Sequence, residues 1–108
     1  MSNEQTSEQY RIVAKQWCEA EAAASLLEDT KSAMLSTRIR QLIESEPGIA
    51  LNRAEAEVKS SPEWREWITS MIDARKKANL LKVQLEYLRM RHSEWQSMEA
   101  SKRAEMRL

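Results

Sequence analysis

From Ser7 to about Ser45 the chain contains neither Gly nor Pro, and apolar residues return at Tyr10, Val13, Trp17, Ala20, Ala24, Leu27 and Met34. The steps are of three and four residues, with one longer gap where Lys31 takes the apolar place. Such a recurrence is one stripe of an amphipathic α-helix. The stripe drifts to Leu35, Ile39, Leu42 and Ile43, and the spacing predicts a helix over 7–45, roughly 55 Å long. It ends at Glu46-Pro47-Gly48, the strongest turn signal in the chain. Pro removes a backbone donor and disfavours helix in the residue before it, and Gly supplies the positive φ that a reversal needs.

A short helix over 53–60 follows, with Asn52 as its expected N-cap and Glu55 three residues on, as in a capping box. Ser61 then reads as a fresh N-cap, with Pro62 at the first helical position and Glu63 favourable to the helix dipole. No breaker appears afterwards, so the last helix is expected over 62–106. Its seam is Trp67, Met71, Ala74, Ala78, Leu81, Leu85, Leu88, His92 and Trp95, an unbroken 4-3 alternation. Helices of this kind need a partner for the apolar face. The fold expected is all-α: a single domain over 1–108, built as a long antiparallel, coiled-coil-like helical hairpin with a short helix near the turn. Arms of similar length would bring Glu28 near Arg75 and Lys82, and Glu21 near Lys82 and Arg89, as interhelical charge pairs beside the seams.

The last helix carries a second apolar row at Trp64, Ile68, Ile72, Leu80, Val83, Tyr87 and Met90, interrupted by Lys76. A two-helix hairpin buries one stripe per helix, so this row predicts a further contact: a homo-oligomer or another protein partner. The competing arrangement folds the short helix and a bent first helix over the row within one chain.

Composition narrows the function. One Gly and two Pro among 108 residues leave almost no material for hairpin turns, which argues against an all-β or Rossmann-like fold. No apolar run approaches the roughly 20 residues of a membrane span, and the polar start MSNEQTSEQ does not look like a cleaved leader, so a soluble, unprocessed, non-membrane protein is expected. The single Cys18 forms no internal disulfide, which favours a cytosolic setting, and it reads as a small buried apolar residue beside Trp17. One Cys and one His do not make a structural zinc site, and one Gly does not make a P-loop or a dinucleotide fingerprint. His92 sits in the seam, and neighbouring acids such as Glu19 and Glu21 read as solvated or paired helix positions. The expectation is therefore a non-enzyme with no catalytic residues, no metal and no cofactor.

Charge is zero overall but divided along the chain. Residues 1–74 hold 8 basic and 13 acidic groups, residues 75–108 hold 9 and 4. The basic groups of the second segment are Arg75, Lys76, Lys77, Lys82, Arg89, Arg91, Lys102, Arg103 and Arg107, with Tyr87 and Trp95 among them. Cations that follow phosphates beside rings that stack on unpaired bases are the makings of a single-stranded DNA surface. The bland reading of the same residues is a solvated helix face.

Three strings, AAASLLEDTKSA from Ala22, EVKSSPEWREW from Glu57 and NLLKVQLEYLRMRHSEWQSMEASKRAEMRL from Asn79, resemble small helical proteins of tailed bacteriophages. Genes for such proteins often lie in early blocks beside single-strand annealing or other recombination proteins. In layout, more than in letters, the chain is also similar to the phage recombination mediators of the UvsY type. Those are helical oligomers that bind single-stranded DNA and help load a recombinase. The resemblance implies a recombination accessory protein in the cytoplasm of an infected bacterium. Its partners would be single-stranded DNA and a phage recombinase or annealing protein, its DNA face the basic segment and its subunit contact the second apolar row. The alternative is an inhibitor or adaptor that docks the same row on a host nuclease or defence complex.

Overall fold

The computed structural model describes residues 3–107, with side-chain surroundings for 5–107. Three helices and no strand occur among them: α1 (Asn3–Ser45), α2 (Leu51–Lys59) and α3 (Pro62–Arg107). The chain is divided into two units, one of Met1–Ala20 with Lys77–Leu108, the other of Glu21–Lys76.

The end of α1 follows from its residues. Gly48 takes φ 97°, the one positive φ among the described residues and the region open to a residue without Cβ. The amide of Glu46 still donates to Leu42 O at 2.9 Å, and that of Ile49 donates to Glu46 O at 3.2 Å, closing the turn. The start of α2 differs from the expected capping box. Ala50 is its N-cap, in extended conformation and without a side-chain cap, so Asn52 lies inside the first turn. The turn at Gly48 is short enough that helical geometry resumes before Asn52 is reached. Ser61 does cap α3: its Oγ accepts from the Trp64 amide at 3.2 Å and donates to Val58 O at 2.6 Å, which joins α2 to α3. Ser61→Ala is expected to cost about 1 kcal/mol and to lower Tm by about 5 °C, read by circular dichroism.

In the first unit, Val13, Leu85 and Leu88 form a buried cluster, with Tyr10, Ala14, Trp17 and Leu81 packed against it. All seven except Ala14 belong to the two expected seams. In the second unit the buried residues include Ala24, Ala54, Val58 and Trp64. Leu27, Met34, Leu35, Ile39, Leu42 and Ile43 are half-buried along α1, and Lys31 is exposed as its charge requires. The end of α1 and α2 lie side by side, since Arg38, Gln41, Leu42 and Ser45 line one cavity of about 330 Å³ together with Glu57, Val58 and Ser61.

The chain turns at Gly48, and α2 packs beside the end of α1 before α3 begins. In the second unit Glu21 meets Arg75. In the first, Arg89 meets Tyr10. The pair Glu28–Arg75 is present as expected. Cys18, expected inside, is exposed: it follows Trp17 on the helix and turns about 100° out of the seam.

Candidate functional site

Of the nine basic residues singled out in the sequence, Arg75 is engaged in holding the fold. Its Nη2 and Nε donate to the two carboxylate oxygens of Glu28 at 2.6 and 2.9 Å, and its Nη1 donates to Glu21 Oε2 at 2.6 Å. A planar guanidinium forked onto one carboxylate and reaching a second is the geometry in which Arg binds most specifically. The hydrogen bond from Arg75 holds the Glu28 carboxyl below its usual pKa, against a smaller opposing effect of desolvation. Arg75 is pushed upward by the bonds to Glu28 and Glu21, and it stays charged. Lys76, in the same unit, is exposed.

The other seven, Lys77, Lys82, Arg89, Arg91, Lys102, Arg103 and Arg107, lie on α3 in the first unit and are exposed. Two of them touch acids of their own helix. Arg91–Glu94 and Lys102–Glu99 are each 3.9 Å apart and open to solvent, a geometry worth little in water and easily surrendered to a phosphate. Arg89 donates from Nη2 to the Tyr10 hydroxyl at 3.3 Å. Tyr10, Arg89 and His92 line a cavity of about 330 Å³ with Thr6 and Ser7. Next to it the His92 and Trp95 rings stack, 6.2 Å between centroids and 19° from parallel. Trp95, expected in the seam, is 37% exposed. The first unit thus gathers a cation, a phenol, an imidazole and an accessible indole on one region, with further cations along the helix. These are the parts a single strand uses: charge for phosphates and flat rings for bases. Tyr10 was not singled out for this surface, because its place in the seam concealed its hydroxyl end.

The second apolar row divides between the units. In the second, Trp64 is only 6% exposed and stacks on Trp67 at 5.2 Å and 7°, so it is not available to another chain, and Ile68 is half-buried. The turn of α3 that carries Trp64 is tied to α2 through Ser61. Ile72 is exposed. In the first unit the row is open: Leu80 is 71% exposed, Val83 63%, Met90 54% and Tyr87 53%. Exposed large apolar side chains in series are the kind of patch from which interaction surfaces are built. The row also continues beyond the stretch read from the sequence, through Glu94 to the exposed Met98. α3 consequently has no single apolar side, because its seam and this row lie on opposite faces.

Among the described residues no cluster of His, Cys, Asp or Glu is arranged to hold a metal, and no helix is long and apolar enough to cross a membrane. No protein-family model, curated protein or solved structure matches the chain.

Proposed function

We propose that this protein is a phage recombination accessory protein, a homo-oligomer that binds single-stranded DNA weakly along α3 and contacts a recombinase or annealing protein. The observation that carries the reading is the surface of the first unit, where exposed Arg89 accompanies Tyr10, His92 and Trp95 and further cations follow along α3. The resemblance to helical phage proteins supports the setting, and the open apolar row supports association. Oligomers multiply the local field of such a surface while net charge stays at zero, which compensates for the absence of long-range attraction in a single chain.

Fluorescence anisotropy of a labelled oligo-dT at several salt concentrations tests it. Binding is expected to fall with salt, with a log–log slope of about −0.7 for each phosphate contacted. Arg89→Glu combined with Arg91→Glu is expected to abolish binding while the mass in light scattering stays that of the oligomer. Loss of the oligomer would instead assign these arginines to packing, and no binding by the wild type at low salt would remove DNA from the function. A second reading draws on the same exposed Leu80, Val83, Tyr87 and Met90: a monomer that docks this row on a host nuclease or defence protein. A monomeric wild type decides for that reading.

A further inference from the structure

Leu80, Val83, Tyr87 and Met90 follow one another in steps of three, four and three, a second coiled-coil seam on the side of α3 turned away from the protomer's core. The helix runs through them without interruption. One more step in each direction reaches a charge: Lys76 lies four residues before Leu80, and Glu94 four after Met90. Both are exposed. The stripe is therefore symmetric about its midpoint at the level of Leu85, except that one end is basic and the other acidic.

We propose that this stripe pairs with the same stripe of a second copy, antiparallel and about a two-fold axis at the level of Leu85. This deepens the reading of the chain as a self-associating protein and rests on it. Antiparallel pairing sets Leu80 against Met90 of the second copy, Val83 against Tyr87 and Lys76 against Glu94, and the two-fold axis makes each layer twice. A parallel pair would stack Lys76 on Lys76 and Glu94 on Glu94, so the charges that end the stripe favour the antiparallel orientation. In the protomer Glu94 meets Arg91 at 3.9 Å, the outer limit of an ion pair, which leaves it able to turn to a closer cation. The pairing also sorts the flanks. Lys77 and Arg91 of both copies fall along one edge of the seam and Glu86 of both along the other, exposed like-charge neighbours whose repulsion is small beside the buried layers.

Sedimentation equilibrium at low salt on four chains tests the register: wild type, Lys76→Glu, Glu94→Lys and the double exchange. Each single variant places like charges in two layers and is expected to weaken association about tenfold, while the double exchange restores it to within about twofold of wild type. All four dissociating alike would overturn the antiparallel register and leave self-association standing. A double exchange as weak as the single variants would overturn it as well. A wild type that stays monomeric would overturn the pairing together with the oligomeric reading, whereas a dimer that obeys the charge exchange but binds no oligo-dT would keep the pairing and remove only the DNA.

Discussion

Leu85→Asp is expected to unfold the protein, and Val83→Asp, two residues away on the same helix, is expected to leave the protomer folded. Leu85 is 8% exposed and lies in the apolar cluster with Val13 and Leu88, where a carboxylate would displace close apolar contacts. The substitution removes roughly 1.5–3 kcal/mol of apolar burial. It adds several kcal/mol for a buried acid, whether the group stays charged or takes up a proton. The sum reaches the whole stability of an ordinary small domain, about 5–15 kcal/mol. Val83 is 63% exposed and its side chain meets mostly solvent in the protomer. Asp and Val have similar helix propensities, so the change is expected within about 0.5 kcal/mol in a urea melt followed by circular dichroism. Its effect falls on association: light scattering should show monomer. Equal loss of helix in both variants would mean that the two faces of α3 are not separated as described.

Trp64→Ala is expected to destabilise the protein by about 3–5 kcal/mol, the range for a buried tryptophan cut back to alanine. The ring is 6% exposed, stacks on Trp67 and stands at the start of α3, where its own amide is bound by Ser61. Removing it leaves a cavity and exposes one face of Trp67. Trp95→Ala is the matched control, since that ring is 37% exposed and its loss should cost far less. Denaturant midpoints for the two variants make the comparison. A midpoint for Trp64→Ala near that of Trp95→Ala would place Trp64 back on the surface, with the open row.

The buried seams were legible in the residues because helical periodicity is a local property. Val13, Ala20 and Ala24 on α1 and Ala78, Leu85 and Leu88 on α3 recur at three and four, and each is buried. The stop at Pro47-Gly48 and the restart at Ser61-Pro62 were legible for the same reason, since a missing donor, a positive φ and a capping hydroxyl act within one turn of chain. Half of the candidate surface could be read in this way as well. Leu80, Val83, Tyr87 and Met90 lie on the face opposite Leu85 and Leu88 in any straight helix, and charge keeps Lys82 and Arg91 in water.

Other placements depended on which residues of different helices meet. Arg75 looks like any other cation of the basic segment until Glu21 and Glu28 are found on either side of its guanidinium. Trp64 reads as part of one row with Leu80 and Val83 and is nevertheless buried: four steps of four residues carry it well around the helix from Leu80, and its amide is held by Ser61 beside α2. Tyr10 joins Arg89 and His92 at one cavity although 79 residues separate it from Arg89.

The pattern of the chain was sufficient for helices, their ends and their apolar faces, since each depends on residues within a turn or two of one another. Pairing across the reversal is different: more than one register buries much the same seams, and local spacing does not distinguish them. The partners of Arg75, the burial of Trp64 and the aromatic company of Arg89 come from contacts between residues far apart in the chain.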